Sequence, residues 1–153
     1  VTNLDEADQS RRKVAAELFN ETWRLIEWPG RTPEQDRRML ITACASWLEW
    51  DAIGTEENRA VADWQIAHVA SLLGYGDLAL AHATAAFERT EGGQLPSWLR
   101  ASTLEGLARA HAAAGHKAER DAYVERATAA LRDLDDPEDR DLIASQLATV
   151  PEL

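Results

Sequence analysis

The 153-residue chain holds 28 alanines and 18 leucines against 6 valines and 5 isoleucines. Strong helix formers so outweigh β-branched residues that the ratio argues against a sheet-based fold and for an all-α one. The 16 basic and 27 acidic residues leave a formal charge of -11, which works against binding DNA, RNA or an anionic membrane surface.

Helix start and stop signals divide the chain into seven segments. The first runs from about Asp5 to Trp28 and stops at Pro29-Gly30. Thr32-Pro33-Glu34-Gln35 opens the second with a threonine N-cap, a proline at the first helical position and a glutamine at the capping-box position. That helix reaches about Ile53 before Gly54, and Thr55-Glu56-Glu57 caps a third that ends at Gly74. The fourth spans Leu78 to Thr90, and Glu91-Gly92-Gly93-Gln94 is a loop. Pro96-Ser97 opens the fifth, which Gly115 closes; the sixth covers about Ala118 to Leu134, and Asp136-Pro137 starts a short seventh. Such short connections require antiparallel hairpins. One domain over 1–153 is expected, with helix pairs at about 5–53, 55–90 and 96–134 and a capping helix at 137–149.

The third helix is apolar around nearly its whole circumference, and the fifth has only a stripe of Ser102, Glu105 and Arg109. Helices apolar on most sides must be packed on most sides. Inner helices therefore alternate with outer ones. An internal repeat agrees: a shift of 41 sets Arg59-Ala60 on Arg100-Ala101, Ala67 on Ala108 and Gly74 on Gly115. Past the turn, a shift of 44 sets Ala83-Thr84-Ala85-Ala86-Phe87 on Ala127-Thr128-Ala129-Ala130-Leu131. Helix–turn–helix units of this length build solenoids.

Leu104-x-x-Leu107-Ala108-x-x-His111-x-x-x-Gly115 resembles the first helix of a tetratricopeptide motif, with Leu104 at that motif's tryptophan position, Ala108 at its glycine and His111 at its tyrosine. In the earlier copy, Ala79, Ala83 and Ala86 stand at the small-residue positions of the motif's second helix. The whole chain is similar to a family of short bacterial tetratricopeptide-like proteins without assigned activity. The stretches that carry this include Phe19-Asn20-x-Thr22-Trp23, Arg31-Thr32-Pro33-Glu34-Gln35-Asp36 and Leu107-Ala108-Arg109-Ala110-His111. The resemblance implies an α-α solenoid. Histidines common in that family's second helix are absent from Ile41 to Trp50 here, so no metal role carries over.

No chemical motif survives its structural requirement. Gly74-Tyr75-Gly76-Asp77-Leu78-Ala79 fits a dinucleotide glycine pattern but follows a helical segment, not a strand. The acidic run Asp133 to Asp141 lacks the glycine and the terminal glutamate of a calcium loop. His111 and His116, five apart, are not expected to share a helical face, and His68 and His82 lie on different helices. Cys44 reads as an inert core thiol that cannot form an internal disulfide. No cofactor, metal site or catalytic constellation is expected, and an enzyme ranks behind a binding protein.

In the register that the resemblance implies, Val61, Trp64, His68 and Ser71 of the third helix and Ser102, Glu105, Arg109 and Ala112 of the fifth face the concave surface. The expected site is Trp64, His68, Ser71, Glu105 and Arg109, an open groove in which Arg109 receives a carboxylate and Glu105 an amine. The bland alternative is a structural Glu105–Arg109 pair at i,i+4. The expected function is non-enzymatic protein or peptide binding. The alternative is a small hydrophobic or amphipathic molecule held in a tryptophan-lined pocket, marked by a closed cavity at Trp47, Trp50 or Trp64. Most of the 6 tryptophans are expected to fill space left by alanine. With 7 acids and 2 bases between Arg132 and Leu153, nearly half the acidic excess belongs to the end of the chain, and the groove is expected near neutral. The opening VTNLDEADQSRRK has no basic-then-apolar leader, so a cytoplasmic location is expected, with no nucleic acid or membrane partner and a homodimer through an alanine-rich face conceivable.

Overall fold

The structure, a computed structural model, describes residues 2–153. Its seven helices are α1 (Thr2–Ile26), α2 (Pro33–Ile53), α3 (Glu56–Leu72), α4 (Gly76–Thr90), α5 (Ser97–Ala113), α6 (Lys117–Arg132) and α7 (Pro137–Leu147), and no strand occurs among the described residues. No helix among them is long and apolar enough to cross a membrane.

Helix starts follow local chemistry. Thr32 Oγ1 accepts from the Gln35 backbone N–H while the Gln35 side chain accepts from Thr32 N–H. Thr55 and Asn58 repeat the arrangement at the start of α3, an amide again satisfying orphan donors of the first turn. At the far ends, Gly74 and Gly115 adopt φ of 77° and 76°, a left-handed conformation that only glycine enters without cost. Each closes a turn in which the next residue donates back five positions: Tyr75 N to Ala70 O and His116 N to His111 O, both at 2.9 Å. Helix α4 begins at Gly76 and α6 at Lys117, one or two residues earlier than expected, because each starts directly out of its left-handed turn.

Helices α1–α2, α3–α4 and α5–α6 form hairpins stacked in chain order, and α7 packs on α5 and α6. Helices α3 and α5 lie side by side in one layer, α3 packing on both α2 and α4 and α5 on both α4 and α6, which accounts for their all-round burial. At the α3–α4–α5 contact the buried residues are Ala67, Ala70, Ala79, Ala83, Leu107 and Ala110. Small side chains at such a seam let the helix axes approach closely, since interaxial distance follows the residues in contact. The bulkier cluster of Leu25, Met39, Ala43, Ile66 and Val69 joins α1, α2 and α3. Ala101, Leu131, Leu134 and Ile143 seat α7 against the third hairpin. The odd-numbered helices thus share one side of the array, and side chains on that side converge.

Candidate functional site

Trp64 and His68 are one turn apart on α3, so their rings meet at 5.5 Å between centroids, tilted by 47°. Trp23 reaches in from α1 to 5.6 Å from Trp64 and 5.5 Å from His68. The indole can lie this close to α5 because the residue facing it is a glycine: a Cβ on Gly106 would stand 2.9 Å from Trp64 Cδ1.

Behind the rings runs a buried polar chain. Trp64 Nε1 donates to Glu105 Oε2 at 3.3 Å, and Arg109 Nε donates to Glu105 Oε1 at 2.7 Å. Arg109 Nη2 then donates to the Gln146 carbonyl and to Thr149 Oγ1, each at 2.8 Å. Glu105 is 0% and Arg109 4% exposed. Burial pushes the Glu105 carboxyl up, with Arg109 and then Trp64 pulling it back. Burial, and then the positive charge of Arg109, holds His68 down at about 3, and its Nδ1 is buried without a partner.

The structure brings Trp64, His68, Glu105 and Arg109 together, but not in the open groove expected of them. The end of α7 and Thr149 after it bond Arg109, and Glu105 is fully buried with both carboxylate oxygens bonded to Arg109 and Trp64. Ser71 stands apart: its Oγ donates to the Ala67 carbonyl at 2.8 Å, and it lines a small cavity of about 200 Å³ beyond Arg109.

The open space is beside this network. A cleft of about 600 Å³ lies among α1, α3, α5 and α7, walled by Phe19, Trp23, Trp64, Trp98, Ile143 and Leu142. Ser102, Ser145 and Gln146 supply neutral polar groups, and Glu27 and Asp139 supply two carboxylates. No lysine or arginine lines it among the described residues. A recess of about 190 Å³ shares Phe19 and Val61 with the cleft and adds Glu57, again without a basic side chain. The charged groups of the cleft are therefore acidic, because α7 turns part of the acidic chain end, Asp139, back onto it.

Other expectations are sharpened. Trp47 lies outside the cleft; its Nε1 donates to Asp63 Oδ1 at 2.7 Å, where His82 Nδ1 also bonds at 2.8 Å. Trp50 lines only the small recess. Cys44 is half-buried, and burial pushes its thiol up. His111 and His116 do pair, with Nδ1 atoms 3.2 Å apart. The left-handed turn at Gly115 reverses the chain and sets these positions side by side, as such turns characteristically do. His111 also stacks on Tyr123 at 5.3 Å, and burial, then His116, holds it below the usual imidazole range. Among the described residues no three His, Cys, Asp or Glu side chains are grouped to hold a metal ion.

Compared with protein-family models, curated proteins and solved structures, the chain finds no match in any of the three.

Proposed function

We propose that this chain is a non-enzymatic binding protein that holds a small amphipathic molecule in the tryptophan-lined cleft. The observation that carries the proposal is the cleft itself. Its volume of about 600 Å³ falls within the ~300–1,000 Å³ of small-molecule pockets, which pair mostly apolar walls with a few polar groups. Three indoles from three helices, with Ser102, Ser145 and Gln146 between them, fit that description. The expected peptide groove at Glu105 and Arg109 fits less well, because a peptide there must first displace α7. A peptide that inserts a side chain into the cleft is the second reading, favoured by an open mouth at which Leu142 is 58% exposed.

A tetratricopeptide-like array and a cytoplasmic location belong to the same proposal. The recurring glycine turns at Gly74 and Gly115 and the buried alanines at 79, 83 and 86 support the first. A single free cysteine suits the second. The test is a tryptophan-fluorescence titration with amphipathic probes on the wild type and on Ser145→Phe. Ser145 is exposed, and its side-chain hydrogen bond, to the Leu142 carbonyl, stays within α7, so filling the cleft there should leave melting unchanged and abolish the response. Equal responses from both proteins would place binding elsewhere.

A further inference from the structure

The ionisable groups lining the cleft are Glu27, just past the end of α1, and Asp139 in the first turn of α7. Elsewhere many of the protein's carboxylates have cations beside them: Glu21 with Arg24 and Arg38, Asp36 with Arg31, and Glu56 with Arg59 and Arg89. Glu27 and Asp139 have neither an ion pair nor a side-chain hydrogen bond among the described residues. Both are carboxylates on the rim of the cleft, Glu27 exposed and Asp139 half-buried. There they attract a cation more strongly than an isolated charge in bulk water would, because the apolar walls beside them exclude part of the solvent.

The walls point the same way. The faces of Trp23, Trp64 and Trp98 carry the negative lobes of their ring quadrupoles, which attract ammonium groups. The Trp64 N–H is taken by Glu105, so it is not free to meet an anion. Arg109, the nearby cation, is buried and paired with Glu105. An anionic ligand would meet two carboxylates and no counter-charge. An ammonium group would meet two carboxylates and walls built from three indoles, with its apolar body against Phe19 and Leu142.

We propose that the cleft selects organic cations: molecules with an apolar alkyl or aryl body and an ammonium head. This rests on the cleft being the ligand site, and the experiment separates the two claims. Three probes share one body, 4-phenylbutyl-trimethylammonium, 4-phenylbutan-1-ol and 4-phenylbutyrate, and are titrated into the full chain while tryptophan fluorescence is followed. The cation is expected to bind at least ~10-fold tighter than the alcohol, with the carboxylate weakest, in keeping with the strength of desolvated cation–π contacts. In Glu27→Gln/Asp139→Asn that preference should fall to about threefold or less, with affinity for the alcohol unchanged. Both positions are at the surface, and each single variant serves where the double one melts early. If the alcohol binds as tightly as the cation, the cation inference fails and the cleft stands. A carboxylate that binds best also overturns it, and a preference that survives the double substitution overturns the role of these two carboxylates. If none of the three changes the fluorescence, both claims fail.

Discussion

Trp64 and Glu105 stand 41 positions apart, the offset between successive hairpins, and they touch: the indole Nε1 donates to Glu105 Oε2 at 3.3 Å. His68 and Arg109 are separated by the same offset, and the charge of Arg109 acts on the His68 ring. Repetition thus sets equivalent positions of neighbouring hairpins side by side, and the polar residues at them join into one buried network. That network anchors α7 and leaves the cleft beside it open.

Glu105→Gln keeps an acceptor for Trp64 but leaves the buried guanidinium of Arg109 without its counter-charge. Removing one member of a buried pair costs ~3–5 kcal/mol. Arg109→Met should cost a similar amount and also loosen α7, which loses the contacts to Gln146 and Thr149. The double variant should cost less than the sum of the two, because neither charge is then stranded. Urea denaturation of the four proteins checks this.

Gly106→Ala tests how tightly Trp64 is held. Alanine is ordinarily worth ~1 kcal/mol over glycine inside a helix. Here its Cβ would lie 2.9 Å from Trp64 Cδ1, and a shift of the ring toward the cleft would break its bond to Glu105 and its contacts with Trp23 and His68. Overpacking costs ~1–3 kcal/mol, so the expected result is a loss of stability where propensity alone promises a gain. Thermal melts decide the sign.

Gly115→Ala forces an L side chain into φ of 76° and should cost ~1–2 kcal/mol. Gly92→Ala is the control, since its backbone is not left-handed and nothing lies within 4 Å of the added carbon. Melting temperatures should fall for the first and stay level for the second.

His68 gives a pH dependence of known sign. Its folded value of about 3 lies below the ordinary 6.5, so the unfolded chain binds the proton that the folded one refuses. Its contribution is fully present above pH 6.5 and is lost as pH falls toward 3, at up to ~1.4 kcal/mol per pH unit. His68→Phe removes this titration and no Nδ1 hydrogen bond, since that atom has none. Between pH 7 and 5 the stability of the variant should fall less than that of the wild type by ~2 kcal/mol. The shift of His111 is common to both proteins and cancels in the difference. Parallel stability profiles over that range would contradict the burial of His68.

Helix order, caps and glycine turns were legible in the sequence, because Thr32, Thr55, Gly74 and Gly115 act within one turn of chain. The placing of Trp64, His68, Glu105 and Arg109 on one side of the array came from the register that the resemblance implies, and they stand there as the few polar or large residues of two otherwise apolar helices. Where α7 docks was not, since periodicity identifies an apolar face without saying which partner covers it. The closing of the expected groove therefore went unread, as did the contribution of Trp23 and Trp98 in place of Trp47 and Trp50. The contact of His111 with His116 was missed because helical spacing cannot describe residues on the two sides of a left-handed turn.

The most direct test of the ligand site is an NMR titration that follows the six indole N–H signals with an amphipathic probe. Binding in the cleft predicts shifts at Trp23, Trp64 and Trp98, with Trp28 and Trp47 unmoved. Shifts at Trp28 or Trp47 alone, or none at Trp23, Trp64 and Trp98 at saturating probe, would contradict it.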